Sequence, residues 1–297
     1  SVNAQFRRLV GSIAVGLGML IVSIAASLVL ARRMARPIKA ISTAAEKIER
    51  LELDAIVPLP GSVIRELDEQ AHSFNRMIQG LRWFQAYVPR QLVQRLMDQT
   101  GGPIRDVHEA DLTVMFTDIV GFTSLSETLP PSQIVALLNE HFEIINRVVE
   151  AENGTLDKFI GDAAMAFWGA PEAMPDHATR ACRAALAISE AVTALNARSD
   201  GPSLQIKIGI HCGPLIVGNI GAQTRMNYTV IGDTVNVCAR IEALAGAYTE
   251  NRHATVLVSG EVVDAVGKAF EFESIGDQFV KGREQAVTVW RLFRAAV

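Results

Sequence analysis

Two stretches decide the reading of this chain: Phe116-Thr117-Asp118-Ile119-Val120-Gly121-Phe122-Thr123 and Lys158-Phe159-Ile160-Gly161-Asp162-Ala163-Ala164-Met165-Ala166-Phe167-Trp168. Each places one aspartate where an apolar run meets a glycine turn. A carboxylate at a strand end reaches a cleft from a rigid base, and two converging carboxylates can hold the paired cations that in-line displacement at phosphorus needs. Around them the patterning predicts a strand from Leu112 to Phe116, a helix from Pro131 to Glu152, strands from Thr155 to Ile160 and Ala163 to Trp168, a helix from Asp176 to Arg198 and a strand from Leu204 to His211. That βαββαβ order is the ferredoxin-like α+β arrangement, a single antiparallel sheet with helices on one face. Further strands are expected around Leu215 to Ile220, Tyr228 to Ile231, Thr255 to Val258, Phe270 to Ile275 and Val287 to Phe293, with a helix near Thr234 to Leu244. The soluble domain is placed at residues 108–297.

The 297 residues, 49% of them hydrophobic, leave room for a membrane anchor, a linker and one substantial domain. The formal charge of -4, without any run of lysine or arginine, gives no electrostatic basis for a nucleic-acid partner. Cys182, Cys212 and Cys238 lack a CxxC spacing and read as buried reduced thiols rather than ligands or disulfides.

No charged residue occurs between Arg8 and Arg32. As a helix, residues 9–31 are about 35 Å long, enough to cross a hydrocarbon core of about 30 Å. The rival readings are a buried core helix and a signal peptide, whose apolar region is shorter. Arg32, Arg33, Arg36 and Lys39 follow the run and outnumber Arg7 and Arg8 before it, so the expectation is a single span in the cell inner membrane, in contact with membrane lipid, with everything downstream cytoplasmic. The sequence starts at Ser1, almost directly on this helix, and the expectation is a missing upstream portion with a further span and an external sensor.

From Pro37 heptads begin: Ile38, Ile41, Ala45 and Ile48, then, after a connector with Pro58, Pro60 and Gly61, Ile64, Leu67, Ala71, Phe74, Ile78 and Leu81. Two short coiled-coil helices joined by a strap cannot bury a narrow apolar stripe alone, so a parallel dimer forming a four-helix bundle is expected. Residues 32–82 resemble a HAMP linker, with Glu66 opening its second helix. Residues 83–100 continue as a coupling helix or an amphipathic spacer.

The joint occurrence of the two opening motifs with Tyr228-Thr229-Val230-Ile231-Gly232-Asp233-Thr234-Val235-Asn236-Val237-Cys238-Ala239-Arg240 makes the region from about Asp111 to Phe293 resemble the catalytic domain of class III nucleotidyl cyclases. The resemblance implies conversion of a nucleoside triphosphate to a cyclic monophosphate and pyrophosphate at the interface of a head-to-tail dimer, with two Mg2+ or Mn2+ ions per site. It makes Asp118 and Asp162 the metal carboxylates and the Ile119 carbonyl a further ligand. Asn236 would orient the ribose and Arg240 stabilise charge at the α-phosphate; four residues apart on a helix, they share a face. Gly121, Phe122 and Thr123 open a helix whose N–H groups would meet the triphosphate. Lys281 would grip the terminal phosphates, and Arg225 is a further phosphate candidate.

Lys158 and Thr229 match the base-selecting positions. Adenine presents an acceptor at N1 and a donor at its amino group, complementing a lysine that donates and a hydroxyl that accepts. The implied substrate is therefore ATP, and Thr229 in place of the commoner aspartate resembles a bicarbonate-responsive subset of adenylate cyclases. The family's metal aspartates and base-reading residues come from different protomers, and since every role is filled in this chain a homodimer would carry two equivalent sites. The alternatives are a guanylate cyclase and a catalytically silent nucleotide-binding signalling module. His211, on an apolar strand, is expected to be a buried, hydrogen-bonded histidine rather than a catalytic one.

Overall fold

The computed structural model describes residues 2–50, 52–62, 64–85, 107–198, 202–222, 225–249, 253–279 and 286–296. Two units emerge, Ser1–Met97 and Asp98–Val297. The span expected for the coupling helix lies mostly outside the described residues.

In the second unit the elements are β1 (His108–Ile119), α3 (Phe122–Thr128), α4 (Pro131–Ala151), β2 (Thr155–Ile160), β3 (Ala163–Trp168), α5 (His177–Arg198), β4 (Ile206–Ala222), β5 (Arg225–Ile231), α6 (Asp233–Ala245), β6 (Ala254–Ser259), α7 (Gly260–Val266), β7 (Phe270–Gln278) and β8 (Val287–Ala295). The βαββαβ palm is present, its strands ordered β2-β3-β1-β4 and antiparallel throughout. The wider sheet departs from the expected all-antiparallel form: β6 joins β4 in parallel, followed by β8 and β7, while β5 pairs with β4. A parallel neighbour requires a crossover, and β5 with α6 provides it. The two strands expected around Leu204 to His211 and Leu215 to Ile220 are one, the 17-residue β4.

Helices cover both faces of the sheet rather than one. Ile145 and Val149 of α4 and Ala181, Ile188 and Val192 of α5 pack with Met115, Ile119, Ile206, Ile208 and Ile210. Val237, Ile241 and Ala245 of α6 pack with Leu257, Val287 and Val289 on the opposite side. Alternation along β6 sends Val256 and Val258 to the first cluster and Leu257 to the second. Central strands buried on both faces lose the polar alternation of an open sheet; in β1, Leu112, Thr113, Val114 and Met115 are buried in succession. The three cysteines are free and buried, as expected.

In the first unit the structure differs from two short helices. α1 (Val2–Glu49) runs unbroken from the apolar segment through Pro37, and α2 spans Arg65–Gln85. Proline within a helix removes one backbone hydrogen bond without having to end it. Residues Gly16–Glu49 of α1 form a helix long and apolar enough to cross a membrane, with none of its most apolar window buried. Farther along α1, Ala44 and Ile48 pack with Leu53, Ile56, Phe74, Ile78 and Leu81. Ala45, expected in the stripe, is exposed, and Ile38 is 56% exposed. The strap covers the face carrying Ala44 and Ile48 and leaves Ile38 and Ala45 exposed. Two side chains of α2 pin the strap: the Asn75 amide donates to the Leu59 carbonyl (3.0 Å) and accepts from the Leu59 N–H (2.9 Å), and Arg82 Nη2 donates to the carbonyls of Leu53 and Ile56, both at 2.8 Å.

Gly209 sets how closely α6 lies on the sheet. A Cβ there would fall 2.3 Å from the Glu242 backbone nitrogen, so only glycine admits the helix at this separation. Gly209→Ala is expected to lower stability by about 1–3 kcal/mol, as overpacking does. Chemical denaturation of the membrane-reconstituted chain, followed by the fluorescence of the buried Trp168, measures it; an unchanged midpoint would contradict this packing.

Candidate active site

Three groups of side chains emerge from this scaffold. The first lies at the end of β1. Strand alternation turns Asp118 and its register partner Lys207 of β4 toward the face that α6 covers. Lys207 Nζ lies 2.7 Å from Asp118 Oδ2 and 2.9 Å from Glu242 Oε1 on α6. Asp162 sits in the turn between β2 and β3, after Gly161, whose φ of 66° is the left-handed conformation glycine adopts most readily. Its carboxyl group is within hydrogen-bonding reach of Asp118 and accepts from the backbone of Ile119.

The electrostatics record this crowding. Burial, then the Asp118 carboxyl group beside it, pushes Asp162 up to about 6. Burial pulls the Lys207 ammonium down, but its hydrogen bonds to Asp118 and Glu242 outweigh that and hold it above its ordinary value. Burial raises Glu242, against the pull of Lys207. His141 is buried on α4, and burial lowers it to about 4 against the influence of Asp118, so it is neutral at physiological pH. Among the described residues no cluster of three or more metal-binding side chains occurs. Two apposed carboxylates nevertheless suit Mg2+ or Mn2+, which commonly bind through one or two carboxylates with phosphate oxygens and water completing the shell.

The second group joins β2 to β5. Lys158 Nζ donates to Thr229 Oγ1 at 3.0 Å, and Thr229 Oγ1 donates to Asp157 Oδ2 at 2.5 Å. Lys158 Nζ is also 3.3 Å from Asp157 Oδ2. Successive residues of a regular strand point to opposite faces, yet Asp157 and Lys158 both reach Thr229. The register of β2 against β3 shifts between Leu156 and Lys158, and this irregularity at Asp157 permits it. Burial raises Asp157 above the usual carboxylate range, with Thr229 and Lys158 opposing.

The third group is on α6. Asn236 is exposed, whereas Arg240 is half-buried and its Nη1 has no hydrogen-bond partner among the described residues. An orphaned guanidinium N–H is a standing donor for an anion.

Gly121 precedes α3 with a φ of 70°, and Phe122 and Thr123 form that helix's first turn. Arg225 opens β5, its side chain lying outside the described part of the chain, and Lys281 lies outside the described residues altogether. His211 is buried, its Nδ1 2.7 Å from Ser259 Oγ. Sequence reading missed Lys207, Glu242 and Asp157. Lys207 and Glu242 carried no motif of their own, although the alternation of Ile206, Ile208 and Ile210 already marked Lys207 as facing away from them. Asp157 adjoins Lys158, but a regular strand would turn it the other way.

The profile described as adenylate and guanylate cyclase catalytic domain covers residues 106–292, and that of the HAMP domain covers residues 29–83. The chain belongs to the adenylate and guanylate cyclase catalytic-domain family, and carries a HAMP domain ahead of that domain. Adenylate cyclase 1 of Rhizobium meliloti (strain 1021) is 34% identical over 288 residues, 96% of this chain and 42% of that protein. The chain therefore spans well under half of that relative's length. Among solved structures, the adenylyl cyclase CyaB from P. aeruginosa is 31% identical with a TM-score of 0.59, covering 64% of this chain and 97% of that one. The guanylyl cyclase Cya2 is 30% identical with a TM-score of 0.58, covering 64% and 95%.

Folding raises the Asp162 pKa, so its contribution to stability is fully present at low pH and is lost as the pH rises through about 6. Asp162→Asn removes that loss. In the absence of metal the variant should melt above the wild type at about pH 8, the two curves converging only toward about pH 4, near the ordinary carboxylate value. Added Mn2+ should raise the melting temperature of the wild type and leave the variant nearly unmoved. Parallel pH profiles for the two proteins would show that Asp118 and Asp162 do not repel each other.

Proposed function

We propose that this chain is a membrane-anchored adenylate cyclase that converts ATP to 3',5'-cyclic AMP and pyrophosphate at the interface of a homodimer. The observation that carries the substrate is the contact of Lys158 with Thr229, a cation and a hydroxyl held together at the edge of the domain. The ammonium donates to adenine N1 and the hydroxyl accepts from the adenine amino group. Guanine, with an acceptor at O6 and a donor at N1, has the opposite polarity. That a guanylyl cyclase is a structural relative of similar rank makes GTP the alternative to test.

Asp118, Asp162 and the Ile119 carbonyl would hold two Mg2+ or Mn2+ ions, which when bound would lower the pKa of the ribose 3'-hydroxyl and neutralise charge on the triphosphate. The protein's part is to place the reacting atoms. Lys207, already among carboxylates, offers its charge to the phosphates, as do Lys281, Arg225 and the N–H groups of Gly121, Phe122 and Thr123. Asn236 orients the ribose so that its 3'-oxygen faces the α-phosphorus. Arg240, with a buried N–H that has no partner among the described residues, compensates the charge that grows on the α-phosphate.

Each chain supplies both halves of the machinery, the metal carboxylates to one site and the base-reading and α6 residues to the other. Residues 9–31 anchor the chain in the cell inner membrane and residues 32–82 transmit a signal as a HAMP linker, with residues 83–100 coupling it to the catalytic domain at 108–297. The bare stripe around Ile38 and Ala45 supports a parallel four-helix bundle made with a second copy.

In reconstituted membranes, Asp118→Ala and Arg240→Ala should each lower cyclic AMP formation by at least about a hundredfold. Coexpressed, they should recover about a quarter of wild-type activity, because half the dimers are mixed and each mixed dimer has one intact site of two. No recovery would place both residues in one protomer's site. Lys158→Glu should lower kcat/KM for ATP about 10- to 100-fold; unchanged ATP preference would remove the basis for the substrate.

A further inference from the structure

We propose that Asp157 is a specificity-determining positioning residue: it accepts the hydrogen bond of the Thr229 hydroxyl and thereby makes Thr229 a fixed acceptor that admits adenine and rejects guanine. The inference rests on the reading of Lys158 and Thr229 as the base-contacting pair. A threonine hydroxyl has one proton and two lone pairs, and by itself can present either to a ligand. Free to rotate, it would accept from an adenine amino group or donate to guanine O6 equally well. A lone threonine is therefore a poor discriminator.

The structure removes that ambiguity. The Asp157 side chain is 1% exposed and its Oδ2 accepts from Thr229, so the single hydroxyl proton is committed. Lys158 Nζ donates to the same Thr229 oxygen and occupies one lone pair. What remains for a ligand is the second lone pair, which pairs with a donor and repels an acceptor. Together, Asp157 and Thr229 act as an acceptor of fixed polarity. The Lys158 ammonium, also 3.3 Å from Asp157, opposes the effect of burial on its carboxyl group.

Two features argue that Asp157 is more than a packing residue. Its Oδ1 is buried without a hydrogen-bond partner among the described residues, a cost that an apolar side chain of similar size would avoid. The irregularity in β2 falls at this residue and turns it toward Thr229 alongside Lys158, where a regular strand would turn one of them away.

The test measures kcat and KM for ATP and for GTP with the full chain in reconstituted membranes. Asp157→Ala should lower the ATP-to-GTP ratio of kcat/KM by about tenfold or more, mainly through KM. Asp157→Asn, whose amide oxygen still accepts from Thr229, should retain most of the ratio. Thr229→Val should lower the ratio as well, and adding Asp157→Ala to it should cost no further selectivity, because Asp157 acts through the hydroxyl. If Asp157→Ala does not fold, as judged by melting, Asp157→Val fills the volume and takes its place. A merely structural role would depress both nucleotides alike and leave the ratio untouched, which overturns the inference. Equal loss of selectivity from Asp157→Ala with and without the Thr229 hydroxyl would overturn it too. A wild-type enzyme that prefers GTP overturns the adenylate reading itself, an outcome distinct from an ATP-preferring wild type with an unaltered Asp157→Ala ratio.

Discussion

Two partly buried carboxyl groups within hydrogen-bonding reach of each other repel when both are ionised, and one end of this domain is organised around such a pair, Asp118 and Asp162. Asp118 ends a central strand buried on both faces and Asp162 sits in the turn of the neighbouring hairpin, so neither can retreat without disturbing the sheet. Lys207 relieves part of the repulsion from the Asp118 side. Burial first, and then the Asp118 carboxyl group beside it, raise the proton affinity of Asp162.

The edge strand β2, whose turn carries Asp162, handles polarity rather than charge at Asp157 and Lys158. A shift in register brings two neighbours of one strand to the same threonine, and the result is a small network with defined donor and acceptor directions. Selection between two purines that differ in hydrogen-bond polarity needs this kind of direction, because a site that leaves the wrong group unpaired rejects it far more strongly than one that distinguishes only shape. Close packing of α6 over Gly209 serves the same economy of placement: the helix that carries Asn236 and Arg240 also carries Glu242 down to Lys207.

In the membrane-proximal unit the physics is different. A helix of 48 residues joins the apolar segment to the first HAMP helix without a break. Asn75 and Arg82 tie the strap by hydrogen bonds to main-chain carbonyls, which hold a connector in place without requiring particular side chains along it.

The amino-acid sequence by itself determined the palm. Period-two and period-3.6 patterns located its strands and helices, with β2 and β3 found at their observed limits, and glycine turns marked where Asp118 and Asp162 emerge. The apolar run, the heptads and the three motifs likewise defined the order of segments, since each is a local property of composition and spacing. Tertiary structure alone decided the parallel joining of β6 to β4, the placement of α6 on the second face, and the choice of Ala44 over Ala45 beneath the strap. It also decided the partnerships of Lys207 with Asp118 and of Asp157 with Thr229. The physical reason is common to all of these. Each depends on which residues distant in the chain share a register or a face, and the local pattern around a lysine or an aspartate is the same whether its partner stands across the sheet or is solvent.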